Sequence, residues 1–366
     1  MEKIFKKTNI IKLFIKENIT GFLILFLLLI ISIVNQLSMG DSYKYFWKNL
    51  IWHIIGVILF VIIVFFTDYR KITFKMVFYI YVVLNLVLLI MAVFKMRWIR
   101  LGIINIEPSE FVKPVLLLLI SLMAEEYSES ILPSKVFFKL LFLIFIPVIL
   151  ILRVDLDHAL IIGVIFLSFL LFLGISRKLL IFLIISGLII GCLIFPYMWD
   201  KLAPYQKWRI IGYLYPEKYA QTWGYQLTQS LIAIGSGGLF GQGFKKGWTT
   251  RLHYLPAKRT DLAFSVWAET WGFIGVSLLL FLYGYLLWYA IYISSTVKDW
   301  LGRYLSIGIC LILLGQIIFN IGGAIGILPM TSIPLPFLSY GGSITISVYF
   351  LLSLLFNIAF KGYFFK

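Results

Sequence analysis

Charge is scarce in this chain, and acid scarcer still. Only 13% of its 366 residues are charged, with 16 acids against 32 lysines and arginines, while 61% are hydrophobic. A water-soluble domain of this length could not cover that much apolar surface, which excludes the soluble enzyme classes. Cysteine is almost missing. Cys192 and Cys310 both sit in apolar runs, which excludes a disulfide-stapled scaffold and reads as two small core residues. No cleavage site of small residues follows the basic N-terminus, so the first apolar run is expected to be retained. There is no internal repeat, low-complexity tract or separate soluble domain, and residues 1–366 read as one integral-membrane domain.

What the chain has is hydrophobic length. Its mean hydropathy is +1.00. Apolar runs long enough to cross about 30 Å of hydrocarbon recur throughout. They fall near 20–39, 50–67, 76–94, 108–123, 138–152, 156–174, 179–197, 262–294, 302–324 and 343–360. The expected fold is an all-α polytopic membrane protein of about ten transmembrane helices, with one long extracytoplasmic loop, 198–261, between spans seven and eight.

The net charge of +16 does not indicate nucleic acid, because most cations lie in short loops where they anchor topology. About 16 lysines and arginines flank the spans on the side that holds both termini, against about 6 in the short loops opposite. That bias places both termini in the cytoplasm and the long loop outside. The loop carries nine further cations from Lys201 to Arg259, a basic outer surface suited to an anionic ligand.

Ionisable groups at membrane depth cost a few kcal/mol at the least and need a reason. Glu110 and Lys113, in "RWIRLGIINIEPSEFVKP", fall three apart just inside the fourth span, with Pro108 suited to the first helical turn. They suit a packing ion pair or a site equally well. "LRVDLDHAL" gathers Arg153, Asp155, Asp157 and His158 between two apolar runs. A solvated turn is the favoured reading there, and a metal site the weaker one. The glycine-rich "GYQLTQSLIAIGSGGLFGQGFKKG" fails the phosphate-loop pattern, since Phe244 stands where lysine is required. Its glycines suit a short segment turning tightly against the membrane. On a helix starting near Thr260, Asp261, Ser265 and Glu269 would line one face and border a polar cavity, with an N-cap as the plainer role for Asp261. The last outer loop, Gly326 to Ser343, has no charge and three prolines, and offers the hydroxyls of Thr331, Ser332, Ser339 and Ser343 to a sugar.

Four segments, in order, resemble the SEDS family (shape, elongation, division and sporulation). "RWIRLGIINIEPSEFVK" resembles the pattern R-W-I-x-L-G…Q-P-S-E-x-x-K, and "GYQLTQSLIAIGSGGLFGQGF" resembles G-Y-x-x-x-Q-S-x-I-A-I-G-S-G-G-x-x-G-x-G-F. "LPAKRTDLAFSVWAETWGFIG" is similar to L-P-x-x-x-T-D-F-x-F-x-x-x-x-E-x-x-G-x-x-G, and "GILPMTSIPLPFLSYGGS" to G-x-L-P-x-T-G-I-P-L-P-F-x-S-Y-G-G-S. The chain departs from the family at Q-P-D-x-G-T, which reads "RVDLDHA": Asp155 keeps its place, Asp157 replaces glycine and His158 replaces a hydroxyl residue. Thr270 and Ser332 also stand where glutamate and glycine are usual.

The resemblance implies a peptidoglycan glycosyltransferase of the bacterial cytoplasmic membrane, nearest the elongation branch, that polymerises lipid II on the outer face. It also implies membrane-lipid surroundings and a class B penicillin-binding protein as partner. By this resemblance Asp261 matches the family's catalytic aspartate, and Trp98, Glu110 and Lys113 match functional positions. Asp261 is expected as general base. Lys258 and Arg259 are expected to face the departing pyrophosphate, with Arg97, Arg209 and Lys113 beside them and Mg²⁺ or Mn²⁺ as an assisting ion. Asp155, Glu269 and Ser339 complete the expected substrate contacts. A lipid II flippase and a non-catalytic scaffold for the penicillin-binding protein are the rival readings.

Overall fold

The computed structural model describes residues 12–40, 43–102, 104–128, 131–176, 178–182, 185, 199–200 and 204–362. Its spans are α1 (Ile19–Ser38), α2 (Tyr43–Phe66), α3 (Phe74–Phe94), α4 (Ser109–Glu125), α5 (Ser134–Leu152) and α6 (Leu156–Phe172). The long loop carries α7 (Pro204–Leu214), α8 (Tyr225–Gly237) and α9 (Trp248–Arg251), and α10 (Ala263–Thr296), α11 (Trp300–Ala324) and α12 (Gly342–Gly362) follow. Nine of the ten expected spans coincide with helices, and most of the seventh, with Cys192, lies outside the described residues. Seven of the described helices are long and apolar enough to cross a membrane. The chain is a polytopic membrane protein.

These sequences form helices because a backbone in hydrocarbon must satisfy its own polar groups, and an uninterrupted apolar run can do so only by coiling. Sorting follows from polarity. The α12 helix is buried along nearly its whole length and packs on α2, α4, α10 and α11. In contrast, α2 and α3 turn many large apolar side chains outward, as lipid-facing helices do. Near the start of α3 the free carbonyls ending α2 are taken up by Asn357 of α12, whose amide donates to Ile63, Val64 and Thr67 at 3.0, 3.0 and 3.1 Å. Phe14 and Phe360 meet ring to ring at 5.0 Å, so both ends of the described chain lie at one end of the bundle.

Two features were not visible as apolar runs. Between α3 and α4 the chain forms a short antiparallel hairpin, β1 (Ile99–Leu101) against β2 (Ile104–Ile106), turning at Gly102 with φ +63°. And α10 is broken: Gly272 has φ 62° and ψ −159°, a conformation only glycine adopts readily. The glycine-rich strap after α8 fills that break. The amides of Gln242 and Gly243 donate to the carbonyls of Glu269 and Thr270 at 2.9 and 3.1 Å. The amides of Phe273 and Ile274 donate back to Gly238 and Leu239 at 2.9 and 3.2 Å. Four backbone groups of α10 beside the break thus find partners in the strap. The strap turns against α10 and leaves Leu239 and Phe240 exposed.

Candidate active site

The hairpin delivers Arg97 and Glu107 to the loop end of the bundle. Helix α3 stops at Lys95, in left-handed conformation with φ 52°, and Arg97 follows. Its Nε lies 3.0 Å from Glu107 Oε1, its Nη1 2.8 Å from Asp155 Oδ2, and its Nη2 donates to the Ser332 carbonyl at 3.4 Å. One planar guanidinium thereby ties together the hairpin, the start of α6 and the last loop, a fork lysine could not supply. Burial works against the charge on Arg97, but Glu107, Asp155 and, more distantly, Asp261 hold it protonated. Burial pushes Glu107 up to about 7 despite Arg97, with the Glu110 charge adding to the rise.

One turn further, Lys113 Nζ lies 2.6 Å from Glu110 Oε2, with both side chains buried. Pro114 has no N–H to return to the Glu110 carbonyl one turn back. Ser347 of α12 donates to that carbonyl instead, at 3.0 Å. The other Glu110 oxygen, Oε1, lies 3.3 Å from His158 Nε2, and His158 Nδ1 lies 3.7 Å from Glu107 Oε1. The solvated-turn reading of this stretch is therefore corrected. His158 is 1% exposed, and Asp155 caps α6 by accepting the His158 amide while holding Arg97. Sequence spacing gave no hint that two acids from another helix would meet that turn.

Beside this cluster opens a pocket of about 430 Å³, lined by Arg97, Asp155, Asp157, Ile210, Thr331 and Ser332 among others. An apolar cavity of about 1070 Å³ lies between α2, α3, α4 and α12, and reaches α4 at Phe111 and Pro114. Asp261 does not line the pocket, but its half-buried side chain lies near enough for its charge to act on Arg97. It precedes α10, whose cap is Leu262 with no side-chain hydrogen bond, so Asp261 neither stands on the helix nor caps it. Its turn is stitched to the proline loop. Asn320 donates to the carbonyls of Asp261 and Ile333 at 3.0 and 2.7 Å, and the Tyr340 amide donates to the Arg259 carbonyl at 2.7 Å.

Several expected ligand contacts are engaged elsewhere. Lys258 is buried and donates to the Thr250 and Met39 carbonyls at 3.0 and 3.5 Å, so it fastens the loop rather than facing a phosphate. Arg259 stacks over the Tyr45 ring at 4.5 Å and donates to Gln36 at 3.5 Å. Glu269 and Ser265 line neither of these two hollows. Both are fully buried, Ser265 bonded to Ser230 at 2.7 Å and Glu269 accepting from the amides of Thr249 and Thr250 at 2.8 and 3.2 Å. Ser339 is buried and donates to the Thr260 carbonyl within the stitched turn. Trp98 stays 38% exposed, 5.5 Å from the Arg97 guanidinium, and the Arg209 side chain lies outside the described residues.

Glu107 was missed by the sequence reading. The signal was present: an acid directly before Pro108, at membrane depth, ten residues from Arg97. With Asp155 and His158 it makes a group whose nitrogen and oxygen donors all lie within 4.8 Å of one another, the geometry an ion could close on.

Comparison with known proteins accords with this arrangement. A family model described as cell cycle protein, covering FtsW, RodA and SpoVE, matches residues 8–363. A putative peptidoglycan glycosyltransferase FtsW of Mesostigma viride is 33% identical over 328 residues, 88% of this chain and 77% of that one. The peptidoglycan glycosyltransferase MrdB of Escherichia coli K12 is 35% identical over 251 residues, 68% of this chain and 66% of MrdB. Among solved structures, one described as a peptidoglycan synthase complex that coordinates polymerization and crosslinking superposes with a TM-score of 0.75 at 26% identity, over 93% of this chain and 98% of its counterpart. With a helical bundle, a buried charge cluster and a match over nearly its whole length, this chain belongs to the FtsW/RodA/SpoVE family of cell cycle proteins.

Proposed function

We propose that this chain is a peptidoglycan glycosyltransferase of a bacterial cytoplasmic membrane, polymerising lipid II into glycan strands for cell elongation. Both termini lie in the cytoplasm, the pocket opens on the outer face, and a class B penicillin-binding protein is the partner. The observation that carries the reading is that the bundle holds two unlike hollows: a pocket built on Arg97 and Asp155, and an apolar cavity between α2, α3, α4 and α12. A substrate with an anionic, sugar-bearing head and an isoprenoid tail needs both.

The chemistry is a displacement at an anomeric carbon. The acceptor's 4-hydroxyl oxygen forms the new bond to C1 of the donor sugar, the C1–O bond to the diphosphate breaks, and the diphosphate leaves with the electron pair. Asp261 takes the hydroxyl proton as the bond forms. Arg97, whose charge is fixed by its surroundings, stabilises the departing diphosphate, and the residues around it keep its guanidinium in place. Thr331 and Ser332, lining the pocket, offer hydroxyls to the sugars.

The test is Asp261→Asn in the purified chain supplied with lipid II. Loss of polymer with an unchanged melting temperature is expected. Undiminished polymer would remove Asp261 as base, and lipid translocation without any polymer from the parent chain would make the protein a flippase.

A further inference from the structure

Buried imidazoles nearly always have a hydrogen-bond partner, because an unpaired polar group out of water costs several times what a paired one gains. His158 breaks that rule. It is 1% exposed, and neither ring nitrogen makes a hydrogen bond among the described residues. Both nitrogens nonetheless point at carboxylates: Nδ1 at Glu107 Oε1, 3.7 Å away, and Nε2 at Glu110 Oε1, 3.3 Å away. That Glu110 oxygen is likewise buried without a hydrogen bond. Nε2 stands within reach of Glu110, whereas Nδ1 and Glu107 Oε1 face one another across a gap too wide for a direct hydrogen bond, a spacing that an intervening ion bridges.

We propose that Glu107, Asp155 and His158 bind a first-row divalent transition ion, of the zinc or manganese class. The ligand atoms lie within 4.8 Å of one another, and bonds of about 2.0–2.2 Å to a common ion require only a small inward closure. One nitrogen and two oxygens select such an ion over magnesium, which prefers an all-oxygen shell. The donors are correctly disposed beyond the first contact too. With Nδ1 on the ion, Nε2–H is left facing Glu110, the carboxylate that would orient the ring, as metal-bound histidines commonly require. Charge favours the same outcome. Arg97 and Lys113 offset two of the three carboxylates Glu107, Glu110 and Asp155, which leaves one negative charge beside a neutral ring. Arg97 holds Glu107 Oε1 and Asp155 Oδ2, and the ion competes with it for those oxygens.

Two of the three ligands are departures of this chain from the family pattern, which has glutamine where Glu107 stands and a hydroxyl residue where His158 stands. They lie 3.7 Å apart, so the proposed site rests on a pair of residues that both depart from that pattern.

The experiment uses the full chain in detergent, stripped with a chelator and titrated with Zn²⁺, with stoichiometry read by elemental analysis and affinity by calorimetry. One Zn²⁺ per chain is expected, resistant to excess Mg²⁺ and lost in both Glu107→Gln and His158→Thr. The near-isosteric Glu107→Gln keeps the shape of the site, so loss of binding there stands even where His158→Thr melts early. No Zn²⁺ bound by the parent chain, or equal binding by parent and Glu107→Gln, overturns the proposal. Because no substrate is present, this outcome is independent of whether the chain polymerises lipid II.

Discussion

Glu269 separates two readings of the same residue. From the sequence it lies two turns beyond Asp261 on a polar stripe and reads as a substrate contact. In the fold it is a latch. Its carboxylate accepts from the Thr249 and Thr250 amides at 2.8 and 3.2 Å and from the Thr250 hydroxyl, at the start of α9. That helix begins after Gly247, which has no side chain to cap it, so the cap comes from α10 instead. Thr250 in turn presents its carbonyl to Lys258 at 3.0 Å. Glu269→Ala leaves two buried amides without acceptors, at about 1–3 kcal/mol each, so a loss of roughly 2–5 kcal/mol is expected once some water has entered. Glu269→Gln keeps an acceptor for only one of the two amides, since each donates to a different carboxylate oxygen, and costs about 1–3 kcal/mol. The assay is thermal melting in detergent alongside limited trypsin digestion, which reports on Lys245, Lys246 and Lys258. The alanine variant should melt early and be cut fast, and the glutamine variant should fall between it and the parent. An alanine variant that melts and digests like the parent, yet makes no polymer, would refute the latch and restore the substrate contact.

Other outcomes follow from the same geometry. Gly272→Ala forces a Cβ to within 2.3 Å of the Gly241 amide nitrogen, and puts alanine where only glycine is comfortable; a loss of at least about 1–3 kcal/mol should appear as a lowered melting temperature and poor yield. Lys113→Met strands the Glu110 carboxylate in a buried site and should cost about 3–5 kcal/mol, whereas the double variant Lys113→Met/Glu110→Gln should recover most of that; equal melting of single and double variants would show that the pair is not coupled. Arg97→Lys keeps the charge but cannot span Glu107 and Asp155 together, so glycan synthesis should fall by more than stability does, read by turnover and melting on one preparation.

The apolar spans were legible because hydrocarbon enforces one solution on a long apolar run. The break at Gly272 was not, since "WGFIG" continues the hydropathy without interruption while the conformation depends on a strap some thirty residues earlier. The hairpin was hidden by its size, three residues a side, although Gly102 between two apolar–polar–apolar triplets was its trace. At the site, Arg97, Glu110, Lys113 and Asp155 were readable as charges too costly to be accidental. Which of them meet was not, because the contacts of His158 and Glu107 join segments some fifty residues apart. Lys258, Glu269 and Ser339 failed as ligand contacts for a common reason. Polar side chains in a chain with few of them are first consumed by the backbone groups that loops leave open.

The break in α10 has a mechanical meaning. Where an intact helix would close its own ring of amide bonds, here the Gly238–Gly243 backbone completes the circuit. The strap is thus a splint on the span, bonded to it on both sides of the break. The Asp261 turn lies just before that splinted rod and is tied to the proline loop on its other side. A protein leaning on the outside of the molecule would push, through stiff parts only, on the acid beside the pocket.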